Sequence, residues 1–373
     1  MQNDLFEKEA IPKAYMKMAL PVVMGMVVTL VYNLVDTYFI ALTGNTNLIA
    51  GISLCAPLFT LLLAIGDIFG IGGSSVISRI LGAHDTDDAR KKSVLCFYSA
   101  IITGLIFTVI MLAFKKQILM VLGSTAQTYA YADQYYSWLI LGSTFVIFSL
   151  VPSNLLRAEG MSLQSMIGSI VGTVVNMILD PIFIFGLGLG AAGAAIATVI
   201  GYIVTCVFFV VIIVKKSNVL SMDFRMFSLD AASFGSILAI GLPSSITNLM
   251  QTVGITLTNR FLQPYGDDNI AIMGIVLKIV NIALLVIVGL AFGGQPLIGY
   301  NYGAGLKDRL KKILGFGMAV TGGTGIVFLP VMIILSMAMG LNGVISAQFI
   351  SDLFTTVVAF VLFKVFLWKE IFN

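Results

Sequence analysis

The chain has 373 residues, of which 58% are hydrophobic and 10% charged, with a formal net charge of +3. A water-soluble domain carries roughly 25% charged residues to cover its surface, so the composition excludes a soluble globule. The charges gather instead between apolar runs of about 20 or more residues, the length needed to cross ~30 Å of hydrocarbon, and the chain reads as an all-α, polytopic membrane protein.

The start, MQNDLFEKEAIPKAYMKMA, carries mixed charge and flows directly into the first apolar run, without the pattern of a cleavable signal peptide. Ten spans are expected, at about 14–42, 47–80, 89–114, 134–157, 162–186, 191–214, 234–262, 269–302, 309–337 and 343–368. An even number places both termini on one side of the membrane. Of the 21 Lys and Arg, only Lys115, Lys116 and Arg260 fall on the opposite side, and Lys278 lies inside a span. The excess on the terminal side predicts cytoplasmic termini and a multi-pass protein of the cell (plasma or inner) membrane. Trp138 and Trp368 lie near span ends, where an amphipathic indole prefers to sit.

The chain also repeats itself. MALPVVMGMVVTLVYNLVDTYFIALTGN at 18–45 aligns with IGLPSSITNLMQTVGITLTNRFLQPYGD at 240–267, so that Pro21 meets Pro243 and Gly44 meets Gly266 at an offset of 222. Gly82 meets Gly303 at 221. Further on, DPIFIFGLGLGAAGAAIATVI pairs best with LPVMIILSMAMGLNGVISAQFI, where Pro181 meets Pro330 at an offset of only 149. The fall from 221 to 149 leaves 72 residues of the first half, two spans with their loops, without a counterpart in the second. The expected organisation is therefore two parallel repeats: a six-helix lobe at 1–217, a linker at 218–233, and a truncated four-helix lobe at 234–373, with 309–337 as one helix fused near Phe328–Pro330.

Two carboxylates stand out inside the first lobe. Asp180, in VVNMILDPIFIFG, lies where an ionised side chain costs ~2.5–3.5 kcal/mol on insertion scales, which marks a functional candidate by default. Asp36, in YNLVDTYF, lies at a similar distance from the same end of its span. Asn176 is four residues before Asp180, hence on the same helix face. Two close carboxylates in a low-dielectric site can share a proton or, ionised, attract Na⁺ with help from neutral oxygens such as those of Asn176 and Thr198. The plainer alternative is that Asp180 accepts interhelical hydrogen bonds and Pro181 frees a backbone carbonyl.

Several stretches together resemble the multidrug and toxic compound extrusion (MATE) family of secondary transporters: YNLVDTYF, FGIGGSSVISRILG, NLLRAEG, NMILDPIFIFGLGLGAAGAAIAT, GIVLKI, GGQPLIGYNYGA and SAQFISDLFT. The resemblance covers nearly the whole chain. It implies two facing lobes around a central cavity, alternating access, and efflux of small organic, mainly cationic, compounds driven by inward H⁺ or Na⁺, with no further cofactor. The family's first-lobe cation site uses two Asp, an Asn and a Thr, which map onto Asp36, Asp180, Asn176 and Thr198. The resemblance also makes Pro21 a hinge of the first span, where the lost backbone hydrogen bond bends the helix. The departure is the second lobe, which lacks what would be the tenth span.

The remaining signals are weaker. Asn33 is one turn before Asp36 and is a candidate to steady it; Asn154, in PSNLLRAEG, is a second minor candidate on the terminal side. Asp67, Asp352 and Lys278 read as structural groups. His84 is the only histidine, in AHDTDDARKK, and Cys55, Cys96 and Cys206 lie singly in apolar segments, so neither a zinc site, a catalytic triad nor a disulfide framework is expected. GLGLGAAGAA lacks the lysine of a phosphate-binding loop, and the short basic loops read as topology signals, so neither nucleotide nor nucleic acid is expected as a partner. Two rival readings stay open: a lipid-linked sugar flippase of the same superfamily, which would prefer a basic cavity, and a transport-inactive truncated membrane protein.

Overall fold

The computed structural model describes residues 2–262 and 267–322, with side chains at 4–247, 249–250, 253 and 284–322. All regular structure among the described residues is helical. A short helix, α1 (Gln2–Glu7), precedes the first span and was not anticipated from the sequence. The first span, α2 (Ile11–Leu42), opens on Pro12, whose missing N–H is harmless in a first turn, and runs uninterrupted through Pro21. The second is α3 (Thr46–Leu54) followed by α4 (Ala56–Gly82), with one non-helical residue, Cys55, between them. The side chain of Asn45 caps α3 by accepting from the amides of Asn47 and Leu48.

The third span, α5 (Thr86–Ala113), begins three residues before the expected 89, because Asp85 caps it and Asp87 and Asp88 complement the helix dipole in its first turn. After a short helix α6 (Lys115–Val121), the fourth span arrives as two arms, α7 (Tyr129–Leu141) and α8 (Ser143–Ala158), bent by 48°. The corner is Gly142, where a Cβ would lie 2.2 Å from Val199 Cγ2. The fifth span, α9 (Ser162–Pro181), continues as a π-helical turn at Ile182–Gly186. Gly188 and Gly190, at φ +65 and +52, then reverse the chain into α10 (Gly190–Lys216), a conformation that needs no Cβ. The second repeat supplies α11 (Ala231–Leu262), α12 (Asp267–Gly303) and a helical segment at 307–322.

Six of these helices are long and apolar enough to cross a membrane among the residues searched, or seven with the bent α7–α8 pair. The junction near Phe328–Pro330, the tenth span with Asp352 and Trp368, and the side chains of Arg260 and Lys278 lie outside the described residues.

The main core of the first lobe is built from α4, α5, α8 and α10, with Ile77, Leu95, Phe97, Val151, Leu155 and Phe209 essentially fully buried. The two repeats meet in a way the offset of 221–222 foreshadows. α2 packs on α12, its repeat-equivalent α11 packs on α4, and α4 and α12 cross each other. At that crossing the aligned glycines are reciprocal. A Cβ on Gly82 would lie 2.0 Å from the Tyr300 carbonyl, and one on Gly303 would lie 1.9 Å from the Arg79 carbonyl. Higher up, Gly241 meets Ile68 and Gly293 meets Ala19. Close backbone approach at small residues is how helices associate where no hydrophobic gain drives them.

The linker is not a loose tether. The Glu159 carboxylate, 2% exposed, accepts from Ser217 Oγ (2.6 Å), the Asn218 amide (2.9 Å) and the Val219 amide (3.3 Å). Arg90 donates to the carbonyls of Asn218 and Val219, and Tyr98 to that of Met222 (2.9 Å), while the Tyr98 ring meets Phe224 and Phe227 edge-on.

Candidate cation site

The candidate site is assembled by α2, α9 and α10. The spacing of four residues sets Asn176 and Asp180 on successive turns of α9, and Asn176 Nδ2 donates to Asp180 Oδ1 at 3.3 Å. The same amide nitrogen donates to Thr198 Oγ1 on α10 at 3.5 Å, and the threonine hydroxyl gives its own proton to the Ala194 carbonyl at 2.9 Å. Thr198 therefore presents lone pairs, not a proton, toward Asn176. Asp180, Asn176 and Thr198 are 0, 3 and 5% exposed. Half-buried Asp36, on α2, brings its carboxyl beside that of Asp180, close enough for direct interaction.

What the cluster lacks, among the described residues, is donors. Asn176 Oδ1 and Asp180 Oδ2 are both buried there without a hydrogen-bond partner among them. An unsatisfied buried acceptor costs ~1–3 kcal/mol, more when charged, so two of them on neighbouring turns, with a second carboxyl beside Asp180, form a place that a proton or a cation would relieve. Two carboxylates with neutral amide and hydroxyl oxygens suit H⁺ or a monovalent cation.

Two glycines that the sequence reading did not single out make this geometry possible. A Cβ on Gly172 would fall 1.8 Å from Thr205 Oγ1, and one on Gly201 would fall 2.8 Å from the Gly172 carbonyl and 3.0 Å from Asn176 Cβ. Their absent side chains let α9 and α10 approach until Thr198 reaches Asn176; small residues on facing spans were the available signal. Three tyrosines were also missed. Tyr32, one turn before Asp36, and Tyr135 lie within electrostatic reach of both carboxylates, and Tyr202 stands close to Tyr32 and Tyr135. Nothing local in their sequence distinguishes them from interfacial tyrosines. Just past the site, Pro181 and the π-turn, closed by the Leu187 amide on the Ile182 carbonyl (2.8 Å), interrupt the regular ladder of α9.

The weaker candidates fall elsewhere. Asn33 is exposed, and its backbone carbonyl accepts from Thr37 Oγ1 at 2.7 Å. Asn154 is buried in α8, donating to the Leu150 carbonyl at 2.8 Å and accepting from Arg157, whose charge interacts with Asp67. The structure brings neither asparagine into the cluster. Pro21 lies inside α2, well below Asp36 along the same helix. His84, at φ +61, sits in the turn between α4 and α5.

Membrane-crossing helices in two repeat-related sets, with a buried carboxylate beside a half-buried one in the first, have the make-up of a transport protein. Comparison with known proteins narrows the class. The MatE family profile matches residues 21–182 and 243–341. The multidrug export protein MepA of Staphylococcus aureus (strain MSSA476) is 34% identical over 328 residues, covering 88% of this chain and 72% of that protein. Among solved structures, a MATE transporter in complex with MaD3S superimposes with a TM-score of 0.84 at 26% identity, over 92% of this chain and 78% of that one. A multidrug resistance MATE transporter of the MOP superfamily, in its outward-facing conformation, gives 0.83 at 27%, over 95 and 79%. The chain belongs to the MATE family.

Proposed function

We propose that the protein exports small organic compounds, cationic ones among them, from the cell in exchange for inward H⁺ or Na⁺, by alternating access of two lobes. In this reading both termini are cytoplasmic, Asp36 and Asp180 carry the coupling ion, and Asn176 and Thr198 supply its neutral oxygens. The name of the Staphylococcus relative supports the substrate class. The observation that carries the coupling is the pair of buried acceptors, Asn176 Oδ1 and Asp180 Oδ2, without donors among the described residues, the second of them beside Asp36. A charged ion entering and leaving that pair would draw on ~2.3 kcal/mol per charge per 100 mV of membrane potential.

The test is Asp36→Asn and Asp180→Asn in sealed vesicles, with gradient-driven transport and thermal stability measured side by side. Asparagine keeps the shape and removes the buried charge, a change that often leaves a fold intact or stabilises it. Both variants are expected to fold and to lose gradient-driven transport. Two stable variants with undiminished transport would overturn the reading.

A further inference from the structure

We propose that residues 4–9, the end of α1 and the turn into α2, form a clasp that holds the two lobes together on the terminal face of the molecule. The proposal rests on the alternating-access reading above for its consequence, though not for its geometry.

Two side chains of this segment each touch both lobes. Phe6 is 2% exposed. One side of its ring stacks on Tyr300, at the end of α12, with centroids 4.7 Å apart and planes 13° from parallel. The ring also covers Gly160, just past the end of α8, so closely that a Cβ there would lie 3.2 Å from Phe6 Cε2. Gly160 has φ +86, which keeps that position free of a side chain. Glu7 makes a second bridge. Its Oε1 accepts from the Tyr300 hydroxyl at 2.7 Å and stands 3.6 Å from Nε2 of His84, in the turn between α4 and α5. One aromatic ring and one carboxylate are thus each held between the first lobe and the second.

The backbone closes the clasp. The Phe6 carbonyl accepts from Arg309 Nε at 2.8 Å and from Asn301 Nδ2 at 3.2 Å, and the Glu9 carbonyl accepts from the second guanidinium arm of Arg309 at 2.6 Å. These carbonyls lie at and just beyond the C-terminal end of α1, where a helix leaves acceptors unsatisfied. A six-residue helix has no stability of its own in isolation, so α1 persists through these contacts. The converse follows: separating the lobes on this face requires the segment to let go of one of them, Phe6 and Glu7 leaving Gly160 and His84, or both leaving Tyr300 while Arg309 releases two carbonyls. The clasp favours the state that is closed on the terminal side.

The test is hydrogen–deuterium exchange on the full chain in lipid nanodiscs, comparing the parent with Phe6→Ala and Arg309→Gln. It needs neither substrate nor an ion gradient, so it stands apart from the carboxylate experiment. Expected is a rise of about tenfold in exchange at the facing helix ends, residues 75–86 and 299–306, the scale set by one hydrogen bond to a charged group. Residues 94–101 of the first-lobe core are expected to keep the parent rate. Arg309→Gln removes no core side chain, so it remains informative should Phe6→Ala unfold. Unchanged exchange at the facing ends in Arg309→Gln, or a rise shared equally with 94–101, overturns the proposal.

Discussion

Alanine at Gly82 is the sharpest probe of how the lobes meet. Its Cβ would come 2.0 Å from the Tyr300 carbonyl oxygen and 2.7 Å from the Ala304 amide nitrogen. Both atoms are backbone of the opposite lobe, so no side chain can swing aside, and α4 and α12 must part by at least ~1 Å to restore van der Waals contact. Gly303→Ala drives the same separation from the other side, with its Cβ 1.9 Å from the Arg79 carbonyl. Overpacking of this kind costs ~1–3 kcal/mol. The strain exists only while the two helices touch, so it weights the balance of states toward lobes separated on the terminal face by ~5- to 150-fold. Gly172→Ala is the control: its Cβ would meet Thr205 Oγ1 at 1.8 Å and the Gly201 carbonyl at 2.5 Å, all within one lobe, so that its cost falls on the fold. A cysteine at Ser75, buried near this interface, reports the difference through its rate of maleimide labelling beside a melting curve. Gly82→Ala should label about tenfold faster with a small loss of melting temperature, and Gly172→Ala should melt lower with labelling unchanged. Identical behaviour of the two variants would refute the reasoning.

Thr198→Val keeps volume but removes the oxygen that faces Asn176; any Na⁺-dependent rise in melting temperature should shrink, with the ion-free stability within ~1 kcal/mol of the parent. Melting curves in sodium and in choline salts measure both quantities. Glu159→Gln turns a charged acceptor of three linker groups into a weaker neutral one, which should cost ~1–2 kcal/mol. Faster amide exchange at Asn218 and Val219 is the reading to look for.

The sequence showed its long-range symmetry because repeats preserve residues that backbone crossings demand. Gly82 and Gly303 align at an offset of 221 and prove to be the two halves of one crossing. Asn176 and Asp180 were legible because a four-residue spacing fixes a shared helix face whatever the rest of the fold does. The approach of Asp36 was suggested by similar depth and by the family resemblance, while its closeness to Asp180 depends on how α2 leans on α9. Boundaries failed where a capping side chain or a glycine outweighed hydropathy: Asp85 starts α5 early, and Gly142 bends an apolar run that reads as one span. Glu159 and Phe6 were invisible for another reason. Each is one ordinary residue in a short polar or amphipathic stretch, and its partners lie 58 residues or more away in the chain.

The docked crossover between the lobes has a mechanical consequence. From Ser217 to Phe227 it is fastened to the first lobe, and Lys92 reaches the start of α11 by bonding Ser233 and pairing with Asp230 at 3.8 Å. Only Ser228 and Leu229, both exposed, lie between these fastenings. In the alternating-access reading, a leash with two slack residues sets how far α11 could travel, once Lys92 has let go, before the packing of Phe227 on Tyr98 must yield. Glycines inserted at 228–229 would lengthen that stroke without altering a single membrane span.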